Sequence, residues 1–360
     1  MLAELAVILI ILMTVAFTYL KGSIIKAFLL LISTFIAATI AFAYFETLGQ
    51  LVIGYKLMPQ WAFGATLLII FAFTLAILNA IGGKLIKTDI YFGDASDRII
   101  KCFIAVFAGF AIAGVILTAA AMMPIGSQWP YERFSATPGQ AEPQKKLILN
   151  ADGFITNLVS LISRGSMSGQ KSFAVFHPSL LDEIYLNRIG SGENFSTITE
   201  SAIAVDAAIA PQTPLVSAKD NQPINQSSQT KAVIIRARLD NTVFTMSQVR
   251  LICKNSDSAG NFTGSGQVFW PTGYITRDNI VEPQNLSDKR KTLQVDFVFC
   301  IPTNTVPVLL QYKQNAAAQV GKLTSGQITA LPQTPAQQIP VEQAPAQHSP
   351  AKKHTSIDQE

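Results

Sequence analysis

The chain has 360 residues, 49% of them hydrophobic and only 14% charged, with a formal net charge of +4 that residues 1–130 and the remainder share evenly. No block carries the basic excess that phosphate recognition requires, which excludes nucleic acid as a partner. Three cysteines and three histidines, with no Cys-x-x-Cys and no His-x-x-x-His, leave no zinc set, and neither a metal nor a cofactor is expected. The apolar excess lies before residue 124, whereas the rest is rich in Ser, Thr, Asn, Gln and Pro, so two solvents are implied.

A bilayer core needs about 20 apolar residues per helix, and Leu5–Leu20, Ile24–Phe45, Trp61–Ile81 and Ile99–Met123 each qualify. The opening "MLAE" lacks a basic region and cleavage site, so the first segment reads as a retained span. No span carries an ionised side chain near its middle except Lys26, placed to snorkel, and this argues against a transporter driven by its own intramembrane acid. Lys21, Lys26, Lys84, Lys87, Arg98 and Lys101 fall on one side and Lys56 on the other, which places both basic turns in the cytoplasm and both termini outside it. Tyr44, Tyr55, Trp61, Trp129 and Tyr131 fall near the outer interface, as an aromatic belt requires. Small residues recur every four positions at Ser33, Ala37 and Ala41, at Ala72, Ala76 and Ala80, and at Ala105, Gly109 and Ala113. Such stripes let helices approach closely, within one bundle or in a homo-oligomer.

The stretch "GDASDRIIKC" opens the fourth span, with Asp94 and Asp97 placed to cap its amides and complement its dipole. Together, "LKGSIIKAFLLLISTFIAATIAFAYFETL" and "SDRIIKCFIAVFAGFAIAGVIL" resemble the second and fourth spans of the colicin V production protein (CvpA) family. Lys21, Gly22, Asp97, Arg98 and Gly109 carry the match; Lys101 and Ala105 stand where that family usually has glycine, and Lys26 near a usual acidic position. The resemblance covers residues 1–123. It implies a four-helix inner membrane protein of the bacterial cell envelope, acting in colicin V production (a toxin biosynthetic process), export or envelope homeostasis, and makes glycosylation at Asn194, Asn225, Asn261 and Asn285 improbable.

Residues 124–204 read as a juxtamembrane connector followed by amphipathic helices. In the first of these, Leu147, Phe154, Leu158, Leu161 and Ile162 share a face that ends at Gly165. The second is "HPSLLDEIYLNRIG", with Pro178 at its start and Gly190 at its end, and both are expected to pack on the outer domain. Residues 205–230 have the composition of a linker, residues 231–315 alternate like a small antiparallel β domain of sandwich type, and residues 316–360 lack material for a core and are expected to be disordered. The fold class is therefore an α-helical membrane protein with an extracytoplasmic α+β region. Cys253 and Cys300 each close a predicted strand outside the reducing cytoplasm and are candidates for a disulfide, with two buried thiols as the alternative.

His177 precedes Pro178 without a Gly-x-Ser-x-Gly elbow or paired carboxylates in sequence, and reads as a surface loop residue. Residues 255–266 have glycines but no Gly-Lys-Ser/Thr ending, and read as a hairpin turn rather than a phosphate loop. Lys352, Lys353 and His354 form too short a basic run to specify an anionic partner. With no catalytic residue assigned, the expected role is a non-enzymatic scaffold or accessory factor in the bilayer, whose outer domain binds an envelope protein or wall component. The alternatives are a subunit of an export or channel assembly and an envelope enzyme with its site in the outer domain.

Overall fold

The computed structural model describes residues 2–55, 58–86, 93–125, 149–165, 172–189, 200–224, 229–240, 248–256, 262–277, 280–282, 292–313 and 316–326. In lipid a lone apolar segment satisfies its backbone only as a helix. The four apolar runs accordingly form α1 (Leu2–Lys21), α2 (Ile24–Gly54), α3 (Ala62–Leu85) and α4 (Asp94–Ala121). All four are long and apolar enough to cross a membrane. Helix α1 packs on α4 and α2 packs on α3, while α4 also touches both α2 and α3. Their shared core is filled by Ala37, Ala41, Phe42, Phe45, Leu67, Phe71 and Ala113.

The small-residue stripes divide between the interior and the outside. Ser33, Ala37, Ala41, Ala105, Gly109 and Ala113 are buried, whereas Ala72, Ala76 and Ala80 are exposed, because α3 turns Phe63, Gly64, Leu67 and Phe71 inward instead. Gly109 shows what such packing needs: a Cβ there would lie 2.9 Å from the Ile11 Cα of α1. Close backbone approach of this kind maximises dispersion contact where lipid supplies no hydrophobic drive.

With 31 residues, α2 is roughly 46 Å long against a hydrocarbon core of about 30 Å, so its end stands clear of the bilayer. Helix α5 (Ala151–Arg164) meets the spans at that level. Its first turn rests on α4, where any side chain at Gly114 would collide with the Ala151 carbonyl. The face it buries is Ala151, Ile155 and Val159, with Phe154 and Leu158 alongside, while Leu161 is 66% exposed. The expected apolar face is therefore rotated, and α5 packs on α4 and α2 rather than on the outer domain. Helices α6 (Phe173–Phe176) and α7 (Leu180–Ile189) follow.

Eleven described strands form two sheets, one of seven strands in the order β11-β1-β3-β8-β6-β7-β2 and one of four in the order β10-β9-β4-β5. Long central strands β3 (Thr230–Asp240) and β8 (Thr292–Pro302) pair antiparallel over their whole length. Val233, Ile235, Val295, Phe297 and Phe299 of this sheet face Val249, Leu251, Leu310 and Tyr312 of β4 (Val249–Ser256) and β9 (Thr305–Tyr312), which closes a sandwich core.

Two expected boundaries move. Strands β1 (Ile203–Pro211) and β2 (Val216–Ser217) occupy the stretch read as a linker, since small alanines between Ile203, Val205 and Ile209 still alternate across a sheet. Strands β10 (Ala316–Gln319) and β11 (Thr324–Gly326) extend the sandwich into the stretch read as a tail, and β11 pairs parallel with β1. The 255–266 hairpin is present, as β4 pairs antiparallel with β5 (Phe262–Phe269). Remaining strands are β6 (Gly273–Arg277) and β7 (Ile280–Glu282).

Candidate functional site: a buried charged joint

Period-2 alternation gives the four-stranded sheet a second face, opposite the sandwich core. It carries Arg250, Ile252 and Lys254 on β4, Gln248 just before it, and Leu309, Gln311 and Lys313 beside them, all buried. In a strand read alone, this pattern marks a solvated face. Here it is covered: Ile252 and Leu309 pack on Val175 of α6, and a Cβ at Gly266 of β5 would lie 3.1 Å from the Val175 carbonyl oxygen.

His177 caps the C-terminus of α6, its N–H donating to the Phe173 carbonyl at 2.7 Å. The ring lies among Phe45, Phe173 and Phe176, at centroid distances of 6.2, 5.2 and 6.4 Å. Nδ1 is 2.5 Å from Glu183 Oε2, and Nε2 is 3.2 Å from Glu46 Oε2. Glu46 stands about 33 Å along α2 from Ile24, a rise comparable with the thickness of a hydrocarbon core of about 30 Å. Glu183 has no exposed surface and is the hub: Oε2 also accepts from Gln311 Nε2 at 3.3 Å, and Oε1 lies 2.8 Å from Arg250 Nη2. That last contact is an ion pair whose angle falls outside hydrogen-bond geometry, and Arg250 Nε and Nη1 have no hydrogen-bond partner among the described residues. Burial pulls the Arg250 guanidinium down to about 9, against the opposing pull of Asp182, so it stays charged at neutral pH. Lys313 is likewise pushed down to about 8 by burial.

A cation on β4, a carboxylate on α7, a histidine after α6 and a carboxylate on α2 thus form one chain of contacts from sandwich to span. Beside it lies a pocket of about 220 Å³, walled by Gly153, Thr156, Asn157 and Ser160 of α5 and by His177 and Asp182. His177 is therefore not a surface loop residue: it is 5% exposed, because α2, α6 and α7 close around it. Sequence spacing hid the joint, since its members lie between residues 46 and 311. The available signal was Glu46, a lone acid directly after an apolar run, matched by Arg250 in an apolar strand.

The residues singled out in "GDASDRIIKC" form a second, smaller arrangement at the opposite end of the bundle. Lys101 Nζ pairs with Asp97 Oδ2 at 2.7 Å and donates to the Gly22 carbonyl at 3.2 Å, tying α4 to the turn between α1 and α2. Asp97 is engaged in this pair, and the N-cap position of α4 is Gly93, which has no side chain to offer. Arg98 is exposed, and the side chains of Lys21 and Asp94 lie outside the described residues.

Residues 3–137 match the colicin V production protein family. The match takes in all four spans, the Gly22–Asp97–Lys101 tie and Glu46 of the joint, and it stops short of α5, the other joint residues and the sandwich. This is a membrane protein whose spanning region is similar to the colicin V production protein family, with a further folded region beyond it. No curated protein and no solved structure matches the chain.

The cysteines are not joined. Cys253 points into the sandwich core with Leu251, and its thiol is pushed up to about 12 by burial. Phe299 and Ile301 fill that same core, so Cys300 between them points to the other side of its sheet. Strand parity separates the pair. Asn194, Asn225, Asn261, Asn285, Trp129, Tyr131, Lys352, Lys353 and His354 lie outside the described residues.

Proposed function

We propose that the protein is a non-enzymatic scaffold or accessory factor of the inner membrane, of colicin V production type, serving envelope homeostasis or export. Its basic turns face the cytoplasm, and both termini and the sandwich face outward. The observation that carries this reading is the buried joint, which holds the sandwich against the outer end of α2 as a fixed platform for an envelope protein or wall component. The close-packed Ala- and Phe-filled bundle core supports a platform over a conduit. A homo-oligomer is open through the exposed Ala72, Ala76 and Ala80 stripe.

A second reading, an envelope hydrolase, draws support from the Glu183–His177 pair beside a pocket. It is the weaker one, because the nitrogen that would activate a nucleophile is already held by Glu46. Crosslinking in intact cells, followed by identification of what the sandwich holds, tests the platform. A specific envelope partner lost on mutating the sandwich surface supports it; recovery of the uncrosslinked chain alone contradicts it. Protease added to spheroplasts should digest residues after 124, and full protection would overturn the orientation.

A further inference from the structure

We infer that the joint is a proton-operated latch, closed when the Glu46–His177 pair holds a proton and open on the α2 side when it does not. The inference rests on the joint being the mount of the platform and adds how that mount is regulated. Both ring nitrogens of His177 face carboxylate oxygens, at 2.5 Å and 3.2 Å. Two donors satisfy that arrangement; a neutral imidazole has one donor and one lone pair. When the proton leaves, the single remaining N–H goes to the shorter contact, Glu183, which Arg250 and Gln311 hold in place. The lone pair is then aimed at the Glu46 carboxylate, and like partial charges beside a buried ring repel. The break therefore falls between α2 and the α6 cap, while α7 stays bound to the sandwich.

The groups facing the ring are Glu46 from α2, Glu183 from α7 and, behind Glu183, Arg250 from β4; Asp182 sits on the pocket wall, and Asp152 of α5 is buried in the same helical layer. The pocket gives water a route to an otherwise buried histidine, and Asn157, Ser160, Ser179 and Asp182 line that route. A side chain buried at 5% exposure can thus exchange protons with the outer aqueous phase.

The test is hydrogen exchange of the full chain in lipid nanodiscs over a pH series, corrected for intrinsic exchange, read for residues 172–183. Wild type should lose protection on the order of tenfold as pH rises, the effect of losing one charge-assisted hydrogen bond. Glu46→Gln should stay protected throughout, because its amide N–H donates to the neutral ring's lone pair. His177→Ala should be unprotected at every pH. Flat wild-type protection, or Glu46→Gln titrating like wild type, overturns the latch. Neither outcome touches the platform, since Glu46→Gln retains the docking contacts and partner crosslinking is scored separately.

Discussion

Replacing Glu183 should cost more than replacing its cationic partner Arg250, because the two ends of the pair are supported unequally. In Glu183→Leu the Arg250 guanidinium, 1% exposed, loses its 2.8 Å ion pair and is left as a poorly compensated buried charge. That situation costs about 3–5 kcal/mol. In Arg250→Met the carboxylate keeps His177 and Gln311, so the loss is one charge-assisted contact, about 1.5 kcal/mol. The double variant removes both charges and should recover about 2 kcal/mol relative to the sum of the singles. The assay is urea unfolding of the full chain in nanodiscs, followed by tryptophan fluorescence with Trp270 reporting on the sandwich. If Arg250→Met destabilised as much as Glu183→Leu, or if the singles were additive, the hub role of Glu183 would be wrong.

Lys313 is held uncharged more readily in the fold than in the unfolded chain, where its value is 10.5. Between about 8 and 10.5 the unfolded chain binds more protons, so stability rises with pH there, and the penalty is fully present below 8. Lys313→Met should thus stabilise the sandwich at pH 7 by about 1–3 kcal/mol, a difference that vanishes near pH 11; the same unfolding assay at both pH values checks it. Lys101→Met removes the Asp97 pair and the Gly22 bond, and should lower the thermal midpoint of the bundle by an amount equivalent to about 1–3 kcal/mol; loss of no more than a few tenths would show the tie to be incidental. Maleimide should label half-buried Cys300 and spare Cys253, and denatured, unreduced protein should take up three labels. Uptake of one label alone would restore the disulfide.

The four spans were legible because each is a local compositional fact, complete within about 20 residues. Strands β3, β4, β8 and β9 were legible through alternation. Strand β1 was not, since alanine and proline resemble a linker until a neighbouring sheet is present to bury Ile203 and Ala208. Leu161 misled for the opposite reason: its apolar character suited a stripe whose true direction was set by Gly114 admitting the first turn of α5. The joint was least legible. Arg250 and Gln311 alternate like solvent-facing residues, and His177 before a proline looks like a loop; only the covering of one sheet face by α6 and α7 turns them into a buried set.

The central claim, that the sandwich is mounted on the C-terminal half of α2, is tested most directly by a distance. Spin labels at exposed Leu51 and Trp270, in a chain whose three cysteines are replaced, should give one narrow distance distribution in nanodiscs. Glu183→Leu should broaden it. A broad distribution in the unaltered joint would mean that the sandwich swings freely from the membrane, and would contradict the account.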